Sequence, residues 1–134
     1  MSKVIGDIAE AYVIYRLFTY GLQPQLMFSD NTSYDALIEV DGKVLRIQVK
    51  GSNNIDGSRK AETVKFTVSK GGKCKDKYNA EDFDILAVVY NKAERCIFYP
   101  NIGGFKTSKR VAVERFTEDE ERTSWESTIK AINA

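Results

Sequence analysis

This sequence predicts an α+β (broadly α/β) domain, with a central mixed β-sheet and helices packed on it. Three observations carry the prediction. Asp41–Gly42 separates "DALIEV" from "KVLRIQVK" and is a strong two-residue hairpin signal. "FDILAVVY" is an almost unbroken apolar run rich in branched residues, the pattern of a strand buried on both faces. Helical patterns stand at the two ends of the chain, outside the strands. The 134 residues suit a single domain, 1–134, with room for one real core.

The elements follow in order. "GDIAEAYVIYRLFTYG" predicts a first helix from about Val4 to Tyr20, with Ile8, Ala11, Tyr12, Tyr15, Leu17 and Phe18 as its apolar stripe and Gly21 as its stop. Asp7 reads as a first-turn residue near the helix N-terminus. "PQLMF" is a short edge strand and "SDNTSY" a loop. The hairpin strands run over Asp35–Val40 and Lys43–Lys50. "SNNIDGSRK" reads as a polar loop and "ETVKFTV" as a further strand. "SKGGKCKDKYNAED" is a basic loop with room for one helical turn. "RCIFYP" pairs with the buried strand across the short turn "NKAE". Thr117, with Glu120 three residues on, opens a terminal helix as a capping box.

Composition removes several chemistries. There is no His, so Ser-His-Asp and Cys-His catalysis are excluded, and any catalysis must use carboxylates, Lys or a metal. Cys74 and Cys96 have no CxxC spacing and suggest neither a zinc site nor a disulfide framework. No stretch has the apolar length of a membrane span, and the N-terminus lacks a signal pattern. The expectation is an intracellular protein, cytoplasmic or nucleoid-associated. A net charge of +1 announces no nucleic-acid partner by itself, so binding would need local clustering of positive charge.

The hairpin carries the candidate site. The turn sets Val40 against Lys43, and counting back places Asp35 opposite Gln48. Alternation puts Ala36, Ile38, Val40, Leu45, Ile47 and Val49 on a core face and Asp35, Leu37, Glu39, Val44, Arg46, Gln48 and Lys50 on the other. Opposed Cβ atoms lie about 4.5–5.5 Å apart, close enough for an Asp carboxylate and a Gln carbonyl to share one hard cation. Mg²⁺ takes oxygen ligands and usually only one or two carboxylates, with water and phosphate completing its shell. Lys50, one step along, can serve the same substrate. An ordinary cross-strand Asp/Lys pair on a solvent face has the same appearance. Glu10 borders the stripe of the first helix near Ile14 and Leu17 and can reach over the sheet; pairing in solvent with Lys3 or Arg16 is the alternative.

These segments together resemble the PD-(D/E)XK nuclease superfamily. They are "GDIAEAYVIYRLFTYGLQP", "SYDALIEVDGKVLRIQVKGS", "KYNAEDFDILAVVY" and "CIFYPN". More narrowly they resemble its group I intron homing endonuclease branch, itself similar to archaeal-type Holliday junction resolvases and some restriction enzymes. The likeness runs from Gly6 to about Pro100. It implies a restriction-endonuclease-like core and a metal-dependent DNA endonuclease. By position the helix carboxylate is Glu10, the strand-start Asp is Asp35, and the (E/D/Q)xK pair is Gln48 and Lys50. The resemblance implies that Glu10, Asp35 and Gln48 bind Mg²⁺, with Mn²⁺ able to substitute, and that Lys50 acts on the phosphate and the attacking water. Tyr34 stands where the family has Pro, and Gln48 where it usually has an acid. The readings left open are a sequence-specific homing enzyme, a junction resolvase, and a DNA-binding domain that does not cut.

DNA would meet the loops. Ser52 has frequent polar counterparts in these families and is expected to touch a phosphate, with a plain loop Ser as the alternative. Lys70, Lys73, Lys75 and Lys77 make a basic loop whose contacts would be salt-sensitive. Ser58–Lys60 and Lys106–Arg110 are further basic segments, offset by Glu118–Glu121. Asp82 and Asp84, flanking Phe83, are read as structural. Tyr12, Tyr15, Phe18, Phe66 and Phe98 are expected to pack in the core, and Trp125 to anchor the terminal helix. Cutting both strands calls for a homodimer or homotetramer.

Overall fold

The computed structural model describes residues 2–27, 33–58, 61–70 and 76–134. Helix α1 spans Ser2–Thr19. Strands follow at Gln25–Leu26 (β1), Ala36–Val40 (β2), Lys43–Ser52 (β3), Ile55–Ser58 (β4), Ala61–Thr67 (β5), Ile85–Tyr90 (β6), Arg95–Pro100 (β7) and Ser108–Ala112 (β8), and helix α2 spans Glu118–Ile132.

The strands form two sheets, a mixed one in the order β1-β2-β3-β6-β7 and an antiparallel one in the order β4-β5-β8. β2 and β3 pair with Val40 against Lys43 and Ala36 against Ile47, the register the Asp41–Gly42 turn dictates. Both turn residues have positive φ, 52° and 81°, as a tight hairpin of this type needs. β3 runs parallel to β6, and that pair requires a crossover. Among the described residues the crossover carries β4 and β5 and no helix. "SNNIDGSRK", expected as loop, therefore holds β4, and the basic segment after Lys106 holds β8. Their polar and basic residues mask strands whose buried contribution is slight, with Val111 alone buried in β8.

Two apolar clusters cover the two faces of the main sheet. Ala9, Val13 and Leu17 of α1 and Trp125 of α2 pack with Ala36, Ile38, Ile47, Val49, Ile85 and Phe98. On the other face Val64, Phe66 and Val111 of the small sheet pack with Leu86, Val88, Phe83 and Phe116. β6, buried at all six positions, is the wall between them. The molecule is thus three layers: helices, main sheet, small sheet.

The inward face of helix α1 shares Leu17 and the half-buried Tyr12 with the expected stripe and leaves out the rest of it. Ile8, Tyr15 and Phe18 are more than half exposed, while Ala9, Val13 and Leu17 are fully buried. The reason lies in Gly51 of β3. A Cβ there would meet the Ala9 Cβ at 2.7 Å and the Ile5 carbonyl at 3.0 Å, so the helix lies almost on the strand backbone and only a small residue, Ala9, fits at the crossing. The helix also begins at Ser2, so Asp7 lies past its first turn and pairs with Lys3 at 3.5 Å.

The terminal helix keeps half of its box. The Thr117 hydroxyl accepts the Glu120 N–H at 3.2 Å, but the Glu120 carboxylate goes to Arg115 instead of reaching back. Trp125 anchors it edge-on to Phe98, with ring centroids 5.0 Å apart. Glu121, read as one of the acids that offset the basic segments, is fully buried and accepts hydrogen bonds from Tyr12 Oη, Arg16 Nε and the Cys96 N–H. It ties α1, β7 and α2 together. Burial and the Glu121 carboxylate push the Tyr12 phenol far up, and burial pushes the Cys96 thiol up.

Candidate active site

β3 outruns β2. The ladder between them stops at Ala36 and Ile47, and β3 continues to Ser52. Asp35 stands at that break. Its N–H donates to the Ile47 carbonyl at 2.8 Å, its carbonyl accepts the Met27 N–H at 2.9 Å, and its Oδ2 accepts the Val49 N–H at 2.9 Å. The carboxylate replaces the missing ladder partner at Val49. It is therefore fixed against β3 between Gln48 and Lys50, one residue beyond the regular register.

Gln48 is buried on the small-sheet face, only 6% exposed. Its Nε2 donates to the Ser33 carbonyl at 2.7 Å and to Tyr78 Oη at 3.3 Å. A main-chain carbonyl can only accept, so nitrogen must face Ser33, and the amide oxygen turns the other way.

Lys50 follows on the same face. Its Nζ donates to the Ser69 carbonyl at 3.4 Å and lies 5.5 Å from the centre of the Tyr78 ring. Burial pulls the ammonium below the ordinary lysine range, while the charge of Asp35 pulls it back up. Burial, then Asp35 and Asp82, push the Tyr78 phenol up to about 12. Tyr78 is a residue sequence reasoning missed. It sits in "KYNAED", where no periodicity marks it.

Glu10 is half-buried on α1. Ile8, Ala11 and Tyr12 line a groove with Val89 and Asn91 on the β6 side. At 3.6 residues per turn, Glu10 and Ile14 occupy the opposite flank of the Ala9–Val13–Leu17 ridge, away from that groove. Arg16, one expected partner, is held by Glu121 at 2.5 Å instead.

The loop residues divide. Ser52 is buried, its hydroxyl donating to the Lys65 carbonyl at 2.7 Å and accepting the Asn54 N–H at 2.9 Å. It pins β3 to β5, with its hydroxyl both donating and accepting inside the fold. Lys70 pairs with Asp82 at 3.3 Å, and Lys77 is exposed. Lys73 and Lys75 lie outside the described residues, as do Arg59 and Lys60. Asp84 accepts the Arg46 N–H at 2.8 Å and its Nε at 3.1 Å, closing the start of β6 onto β3.

Among the described residues no three His, Cys, Asp or Glu cluster closely enough to hold a metal by themselves. Asp35 and the Gln48 amide offer oxygen donors only. That set suits a hard cation that keeps water and substrate oxygens in its shell, and it does not suit zinc. A neutral amide in place of a second carboxylate lowers the negative charge of the set by one.

A family model described as PD-(D/E)XK endonuclease matches residues 1–132. Comparison with curated proteins gives no match. Among solved structures, one titled as that of a bacterial homing endonuclease, I-Ssp6803I, is similar with a TM-score of 0.72 over 97% of this chain and 94% of that one, at 20% identity. At that identity the likeness speaks for the fold.

Proposed function

Because this chain belongs to the PD-(D/E)XK endonuclease family, we propose that it hydrolyses DNA phosphodiester bonds with a divalent cation, Mg²⁺ or in its place Mn²⁺, at the end of β3. One observation carries the reading: the Asp35 carboxylate is bonded to the Val49 N–H, between Gln48 and Lys50. Asp35 and Gln48 would hold the cation, with Glu10 adding a carboxylate from α1. When bound, it would supply Lewis-acid polarisation of the phosphate and a more acidic water.

The chain's own groups do the rest. Asp35 is oriented by three backbone hydrogen bonds and need not reorganise. Lys50 brings a positive charge held in place by the Ser69 carbonyl and the Tyr78 ring. It steadies the extra negative charge that builds on phosphorus as water attacks and the ester oxygen leaves, and it orients that water. No covalent bond to the protein forms.

The substrate we favour is a specific duplex sequence, as for a homing enzyme. The neutral Gln48 supports a second reading, a domain of this fold that binds DNA without cutting it. Cleavage of a library of long duplexes, beside a labelled four-way junction, separates these with Mg²⁺ or EDTA. Cutting of particular duplexes, abolished by EDTA and reduced about 100-fold or more in Lys50→Ala, is the expected result. Cutting confined to the junction would replace the homing reading with a resolvase. DNA binding with no cutting of any substrate would leave the binder.

A further inference from the structure

Gln48 poses a problem that its surroundings solve. A glutamine amide can turn over about its last side-chain bond, exchanging oxygen for NH₂ at little intrinsic cost. Only the oxygen can meet a cation. A glutamine is therefore a sound ligand only where something holds that rotation. Here both amide hydrogens have partners, the Ser33 carbonyl at 2.7 Å and Tyr78 Oη at 3.3 Å, and the side chain is 6% exposed.

We propose that Tyr78 is a positioning residue of this site. With the Ser33 carbonyl it locks the Gln48 amide in one orientation, and its ring carries the Lys50 ammonium. The inference rests on the reading of Gln48 as a cation ligand. It has a counter-intuitive consequence: glutamate at position 48 would be the poorer residue in this chain, although it adds negative charge. A carboxylate has no hydrogen to offer. It would set an oxygen against the Ser33 carbonyl at the separation now bridged by a hydrogen bond, and it would turn away or hold a proton.

Tyr78 is itself firmly placed. It is 5% exposed and meets Phe83 edge-on, with centroids 5.0 Å apart. Its carbonyl accepts the Phe105 N–H at 3.2 Å. Gly104, at φ +88°, passes so close that a Cβ would lie 2.5 Å from that carbonyl. The loop after β7 thus reaches the site through Tyr78. One side chain restrains the metal-facing amide and the phosphate-facing cation together.

Tyr78→Phe keeps the ring and removes only the hydroxyl. Two measurements on the metal-free full chain test the idea: hydrogen exchange of the Gln48 side-chain amide by NMR, and calorimetric titration with Mg²⁺ alone. Wild type should show slow Gln48 amide exchange. Tyr78→Phe should show fast exchange and Mg²⁺ affinity lower by about five- to tenfold, the worth of one hydrogen bond. Gln48→Glu should bind Mg²⁺ no more tightly than wild type. Unchanged exchange or unchanged Mg²⁺ affinity in Tyr78→Phe overturns the proposal, and so does tighter Mg²⁺ binding by Gln48→Glu. Asp35→Ala keeps the two levels apart. If it binds Mg²⁺ as wild type does, the metal-site reading fails, while the exchange measurement still judges the lock by itself.

Discussion

Glu121 shows what a single side chain can conceal. In sequence it belongs to an acidic run at the start of α2, and such runs normally face water. In the fold it is fully buried and accepts three hydrogen bonds, from Tyr12, Arg16 and the main chain of β7. Nothing in its own segment distinguishes it from Glu118 or Glu120, because its partners come from α1 and β7. Glu121→Ala should lower stability by about 3–5 kcal/mol, since it strands the half-buried Arg16 charge and a buried N–H. Urea unfolding followed by circular dichroism would show it, and a loss under about 1 kcal/mol would contradict the keystone role. Asp35, Gln48 and Lys50 were legible for the converse reason. One tight turn sets their register, alternation sorts their faces, and oxygen donors beside a lysine suggest a chemistry. Tyr78 and the Ser33 carbonyl were not legible, because loops bring them there and no local period encodes it.

Between elements, the close approach of α1 to β3 joins fold to site. Gly51 admits the helix, and Ala9 fills the space a side chain would take. The helix was readable from its period, yet only part of its inward face was, Leu17 and Tyr12. The sequence offers two apolar ridges, and the choice depends on a glycine forty residues away in another element. Gly51→Ala should push α1 off β3 and cost about 1–3 kcal/mol. It should also displace Glu10, the carboxylate proposed to join Asp35, so metal-dependent cleavage should fall further than DNA binding does. Ala9→Gly in the same chain should return part of both losses, because the Ile5 carbonyl still crowds the added methyl. Melting temperature and cleavage rate of the single and double variants decide it. If Gly51→Ala melts and cuts like wild type, the contact does not position the site. The small sheet marks the limit of pattern reading at this scale: β4 and β8 are short, polar outside, and recognisable only through their pairing with β5.

Taken whole, the three layers give the molecule an asymmetry that its net charge of +1 conceals. The acidic start of α2 belongs to the helical layer, whereas Lys65, Lys109 and Arg110 outnumber Asp56 and Glu62 on the small sheet, the side toward which Gln48 and Lys50 point. DNA approaching that side meets a layer with a small positive excess, and its affinity should weaken as salt rises. The candidate residues form one site per chain of 15.1 kDa, and one site can break one strand. The two strands of a duplex run in opposite directions, so a second identical site related by two-fold symmetry is the simplest way to break both. Native mass spectrometry of the protein on a duplex it linearises should therefore find an even number of chains. Below the assembly concentration, plasmid cutting should stall at the nicked circle and recover steeply as protein is added. Linear product formed at a rate simply proportional to protein, with one chain per duplex, would show that a single chain cuts both strands in turn.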